Sequence, residues 1–169
     1  MAKIKEIEFN NFRNFTHLKT SFDNKLNILF GDNGSGKTNI LEGISLISKG
    51  TGLRNTNFVN LIKSKKEHFT IYNNVKIKEN NFDIKIYPKK NNERYKKIIE
   101  VNNDMSKESI DFLNQSISFL TFLPEMERLF QSSPSYRRNF IDRLIFSSRK
   151  EYNTLINKYK KLLIERSKI

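Results

Sequence analysis

The chain has no cysteine and no tryptophan, and only three prolines and six glycines in 169 residues. Without thiols, disulfides and thiolate-held metals are excluded. Histidine is scarce too. His17 and His68 stand far apart with no motif around either, so both read as strand-surface residues rather than catalysts or ligands. No run of 18 apolar residues occurs, and "MAKIKEIEFNNF" breaks its apolar positions with frequent charges. Neither a spanning helix nor a secretory signal is expected, and the chain reads as cytoplasmic with no membrane partner. Acids are the minority charge, 18 against 31 Lys and Arg, for a formal net charge of +13. Such a surplus is the footprint of a polyanion partner, nucleic acid first. Lysine supplies 22 of the 31, which with abundant Asn and Ile also matches the residue usage of AT-rich coding sequence.

What is present begins with strands. "KIKEIEF" and "HLKTSF" mix apolar and charged residues and flank the Asn-rich "NNFRNF", whereas "KLNILF" is uniformly apolar, as a central strand buried on both faces would be. A helix over Thr38–Ile47 follows, with Ile40, Leu41, Ile44 and Ile47 at helical spacing and Gly50 and Gly52 as stops. From 68 to 101 the period changes to two. Phe82, Ile84 and Ile86 alternate with Asp83, Lys85 and Tyr87, and Asn pairs mark the turns, which predicts an antiparallel sheet with its lysines on a wet face. A short helix capped by Ser106 precedes a second apolar strand, "ISFLTFLP". In "SSPSYRRNFIDRLIFSSRK", Ser133 suits a cap and Pro134 the first helical position, with Tyr136, Phe140, Ile141, Leu144 and Ile145 as the apolar stripe. Tyr152, Leu155 or Ile156, Tyr159, and Leu162 or Leu163 then form a heptad-like seam that runs to the last residues.

Between "KLNILF" and the first helix, Gly31-Asp32-Asn33-Gly34-Ser35-Gly36-Lys37-Thr38 satisfies G-x-x-x-x-G-K-[ST]. Its glycines let backbone N–H groups close around phosphate oxygens, and the helix that follows aims its positive end at the same anions. Lys37 is expected to reach the β and γ phosphates of ATP, and the Thr38 hydroxyl to ligate Mg²⁺. Hydrolysis further needs an acid at the end of a later apolar strand. Pro124 and Glu125 after "SFLTFL" do not fit that role, Asp142 falls in a helical stripe, and no Leu-Ser-Gly-Gly-Gln-like segment occurs. The cradle is legible without its hydrolytic half.

Three segments together, "EIEFNNFRNF", "LFGDNGSGKTNILEGISLISKG" and "FLPEMERLFQSSPSYRRNFIDRLIF", resemble the RecF family of bacterial DNA replication and repair proteins, ABC-type ATPases related to SMC proteins. The tail is similar to the first helix of that family's coiled-coil-like arm. The fold so implied is α/β: an incomplete ABC/SMC-type P-loop head lobe over 1–130, holding an antiparallel β-subdomain at about 68–101, with the start of a helical arm over 131–169. The resemblance implies an ATP-dependent, DNA-binding homodimer that acts on gapped DNA with RecO and RecR to favour RecA loading. By position, Gly31 to Thr38 would hold the triphosphate, and Arg13 matches the basic residue that SMC-like ATPases set beside the phosphates. Glu125 lies near the family's Q-loop, where this sequence has no Gln. Arg137 and Arg138 could contact a DNA phosphate or pair with acids across the helix, as Asp142 lies four residues beyond Arg138. The sequence stops within the arm helix, so a longer or split protein and a truncated frame both stay open. Alternatives are a nucleotide- and DNA-binding fragment without turnover, another SMC-like ATPase, or a small phosphotransferase, which the missing Arg-rich lid disfavours.

Overall fold

Five strands among the described residues, with alternation clearest in β3 and the middle of β4, make a single antiparallel sheet in the order β2-β1-β3-β4-β5. They are β1 (Ala2–Phe12), β2 (Phe15–Ser21), β3 (Thr70–Ile77), β4 (Asn80–Asn91) and β5 (Arg94–Val101). The computed structural model describes residues 2–23, 25–48, 50–54, 56–91, 94–122, 133–149 and 151–167. The chain divides into two compact units, Met1–Ile117 and Ser118–Ile169.

The register puts Ile7 beside Asn73 and Asn73 beside Ile84, so one face of the sheet gathers Ile7, Phe9, Ile71, Val75, Ile84 and Ile86, all buried. The opposite face is wet and laced with ion pairs, Lys19 to Glu6 and Lys85 to Glu100 among them. The period-two reading of 68–101 is thus realised, within the same sheet as β1 and β2. Lys97 departs from it. Paired with Pro88 on the apolar face, it donates to the carbonyls of Leu46 (3.0 Å) and Ser48 (2.6 Å) just past the first helix. His17 is exposed on β2 as expected, but His68 lies in the loop before β3.

Helix α1 (Lys37–Ser45) follows the loop over 31–36. Its buried positions are Glu42, Gly43 and Ser45, continued by Leu46 and Ile47, while Leu41 of the expected stripe is 48% exposed. Glycine explains the rotation. A Cβ on Gly43 would lie 2.2 Å from Phe9 Cε1, and one on Gly36, two turns earlier, 2.5 Å from Phe15 Cζ. The Phe9 and Phe15 rings are neighbours, with centroids 5.6 Å apart. The helix therefore rests on this aromatic pair through positions without side chains. Of the expected stripe Ile47 is buried and Ile40 and Ile44 are half-buried, so hydrophobic spacing finds part of the buried side and misses Glu42, Gly43 and Ser45.

Two expected strands do not form among the described residues. Residues 25–30 are not in a strand, and Leu26, Ile28 and Phe30 are 77%, 74% and 91% exposed. A strand needs a partner edge for its N–H and C=O groups, and no described residue offers one to this segment. Residues 117–122, the described part of "ISFLTFLP", are likewise not a strand, with Phe122 69% exposed. Helix α2 (Lys107–Ser116) forms as read, Ser106 Oγ accepting from Ser109 N–H at 3.2 Å.

In the second unit, α3 (Pro134–Ser148) has Pro134 as its first residue, as the sequence predicts. It is followed by α4 (Tyr152–Arg166). Tyr152 Oη donates to Asp142 Oδ1 at 2.9 Å and joins the two helices. Among the described residues no ion pair links Arg138 to Asp142. Of the heptad-like seam, Tyr152, Ile156 and Leu163 are half-buried, while Leu155, Tyr159 and Leu162 are exposed.

Candidate phosphate-binding site

The loop over 31–36 turns with φ of +142° at Gly31, +87° at Gly34 and +105° at Gly36, the last being the N-cap of α1. Side chains rarely adopt these angles, which is why glycine recurs there. The turn is closed by Ser35 N–H donating to Asp32 O at 3.2 Å. The first-turn N–H groups of α1 have no intrahelical acceptor, so they are available to an anion. Lys37 folds back over the loop, its Nζ 2.6 Å from Gly31 O and 2.8 Å from Asp32 O. Asp32, Asn33 and Thr38 are exposed.

Arg13 sits in the β1–β2 hairpin turn with φ +53°. Its guanidinium faces α1 and is fully engaged. Nε donates to Glu42 Oε2 at 2.9 Å, Nη2 to Glu42 Oε1 at 2.8 Å, and Nη1 to Asn60 O at 3.0 Å. Its backbone N–H donates to Leu61 O at 2.8 Å. A second arginine, Arg54, lies 3.7 Å from the same carboxylate and 3.4 Å from Asn39 Oδ1. Asn39 donates to Asn14 Oδ1 (2.8 Å), and Asn14 donates to Ser35 O (3.4 Å) in the loop. A polar chain thus runs from the phosphate-loop backbone through Asn14, Asn39 and Arg54 to Glu42 and Arg13.

Sequence reading missed Glu42, Arg54, Asn14 and Asn39. The available signal was Glu42 itself, a charge beside Gly43 and four residues from Leu46 on the buried face, which requires a partner. Glu125 lies outside the described residues. Among the described residues no group of three or more His, Cys, Asp or Glu could hold a metal ion. The loop with Lys37 and the Thr38 hydroxyl suits a nucleoside triphosphate and one Mg²⁺ ligand, and an acidic strand end is not part of this set.

Residues 3–133 match the model for the RecF/RecN/SMC N terminal domain. The chain belongs to that family. Within it the chain is similar to the DNA replication and repair protein RecF of Rickettsia typhi, 36% identical over 163 residues, which is 96% of this chain and 44% of the relative. RecF of Rickettsia prowazekii is 35% identical over 159 residues, 94% of this chain and 43% of the relative. Two solved structures of the recombination mediator protein RecF in the RecFOR pathway are also similar. RecF-ATPrS has a TM-score of 0.77 and RecF-ATP one of 0.70, each 31% identical and covering 98% of this chain. The chain spans less than half the length of these RecF proteins. The fold is that of the ABC/SMC-type P-loop head lobe, and the chain corresponds to the N-terminal portion of RecF. No helix among the described residues is long and apolar enough to cross a membrane.

Proposed function

We propose that this RecF-family chain is the nucleotide-binding N-terminal part of a DNA repair and replication ATPase. The observation that carries the reading is the glycine-turned loop ahead of α1 with Lys37 folded over it, together with the likeness to RecF-ATP. Gly31, Asp32, Asn33, Gly34, Ser35 and Gly36 would wrap the triphosphate. Lys37 would exchange two neutral carbonyls for charge-assisted bonds to phosphate oxygens. Mg²⁺, when bound to the Thr38 hydroxyl, would neutralise phosphate charge. Arg13 would act beside the phosphates only after leaving Glu42; held there, it fixes the hairpin turn to α1.

The wider proposal follows RecF. The basic chain binds DNA, dimerises with ATP between subunits, and works with RecO and RecR in the cytoplasm to favour RecA loading at gaps. The domain proposal remains a head lobe over 1–130 and the start of an arm over 131–169. The rest of a RecF-length polypeptide would supply strands beside 25–30 and the acid for hydrolysis. A second reading is binding without turnover. Titration with a fluorescent ATP analogue tests the core of the proposal: Lys37→Ala should weaken binding roughly 10-fold or more. Unchanged affinity would overturn the loop assignment. A DNA-stimulated ATPase assay separates the two readings, since turnover that depends on Lys37 excludes the inert one.

A further inference from the structure

On the wet face of the sheet Lys19 is matched with Glu6, Lys76 with Glu79 and Lys85 with Glu100. One region differs. A cleft of about 740 Å³ opens between the turn at 63–68 and the end of the β4–β5 hairpin, lined by Lys65, Lys66, Lys90 and Tyr95, with Glu67 and His68 at its side. The side-chain ammonium groups of Lys65, Lys66 and Lys90 make no hydrogen bond or ion pair with any described residue, and Glu67 is the one acid in the lining. Lys63, also in the wall, is held by Asn14 O and Thr16 Oγ1. Lys90 and Tyr95 are cross-strand partners, so ammonium and ring project from one face of the hairpin. On its other face Lys89 stands opposite Lys96, a like-charge pair that is unfavourable without a counter-ion.

Unmatched cations around a concave wall attract a polyanion, and a half-buried tyrosine ring between them adds a flat apolar surface. A lone phosphate would not use that ring, and a cleft of this volume is the size of sites that hold drug-sized molecules. A duplex keeps its base faces stacked inside, whereas an unpaired base can lie on a ring. We infer that this cleft binds single-stranded nucleic acid, with phosphates on Lys65, Lys66 and Lys90 and one base against Tyr95. The site is separate from the phosphate loop. It rests on the DNA-binding part of the proposed function and needs no nucleotide.

The test is fluorescence anisotropy of a labelled 20-mer oligo(dT) with the 169-residue chain, without nucleotide, over 50–200 mM salt. Tyr95→Ala should raise Kd by about 5-fold or more, and Tyr95→Phe, which keeps the ring, should leave it within about 2-fold. Lys65→Gln with Lys66→Gln should flatten the slope of log affinity against log salt by about 1.4, at roughly 0.7 per phosphate contact. Lys76→Gln, outside the cleft, should change neither. Circular dichroism checks folding, and if Tyr95→Ala unfolds, Tyr95→Leu and the lysine pair decide. Three results overturn the inference: strand binding that ignores all the cleft variants, equal affinity for a blunt duplex, or cleft lysines required for anionic phosphatidylserine vesicles but not for the strand. No binding by the wild-type chain would sink the DNA-binding reading too. Binding that ignores the cleft sinks the cleft alone.

Discussion

Arg13 grips Glu42 with two parallel hydrogen bonds, Nε to Oε2 at 2.9 Å and Nη2 to Oε1 at 2.8 Å, and the carboxylate is 1% exposed. Removing Arg13 leaves the buried carboxylate with only Arg54, 3.7 Å away, to meet its charge, and breaking such a pair costs up to about 3–5 kcal/mol. Arg13→Ala and Glu42→Ala should each lower the midpoint of urea unfolding in the absence of nucleotide. Arg13→Lys should rescue little, because an ammonium cannot make the fork. A variant Arg13→Ala that unfolds like the wild type but binds ATP poorly would show Arg13 to be a phosphate ligand instead.

Gly43 gives a case in which two effects oppose. Alanine in a helix interior gains about 1 kcal/mol over glycine by propensity. Here its Cβ would meet Phe9 Cε1 at 2.2 Å, and that ring is fully buried and stacked 5.3 Å from Phe12. Overpacking costs about 1–3 kcal/mol, so Gly43→Ala should destabilise. Trimming the obstacle in Phe9→Leu/Gly43→Ala should make the alanine less harmful than it is alone. Thermal melts of the four proteins in the cycle measure the coupling.

Lys97 links stability to pH. Burial lowers its pKa from the usual 10.5 to about 8. Between those values the unfolded chain binds more protons at this residue than the folded one does, so folding is favoured as pH rises from about 8 to 10.5. Below about 8 the lysine is charged in both states, and its contribution is constant. Other groups titrate in the same window, so the useful quantity is the stability of the wild type minus that of Lys97→Met. That difference should move in favour of the wild type across pH 8–10.5. A flat difference would mean that burial does not disfavour the ammonium.

Leu26, Ile28 and Phe30 lie at a spacing of two on a segment with no strand partner among the described residues, each at least 74% exposed. Such a row invites pairing between chains. Light scattering should show the wild-type chain associating as its concentration rises, and Ile28→Lys should reduce that association. Equal behaviour of the two proteins would exclude this segment as the contact.

The same residues show where sequence reading ends. Locally encoded features were legible: the glycine-rich loop before a helix, the alternation over 68–101, the Ser106 cap and Pro134 at a helix start. The strand expected at 25–30 was not a property of those residues alone, because an apolar run reads the same with or without a neighbouring edge. On α1 the apolar stripe was visible but the buried face was set by Gly43 and Glu42, one having no side chain and the other a charge neutralised by a residue 29 positions away. Lys97 looked like any strand lysine until the register turned it toward the end of α1.

The hairpin turn at Arg13 and Asn14 is tied to Ser35, to Glu42, and to Asn60 and Leu61, partners 21 to 48 positions away in sequence. Ties of that length form only after the chain has closed large loops, so they come late in folding. An isolated peptide of residues 25–48 would carry the full phosphate-loop signature and none of these ties. The motif is local in sequence, but the support for its shape belongs to the assembled sheet.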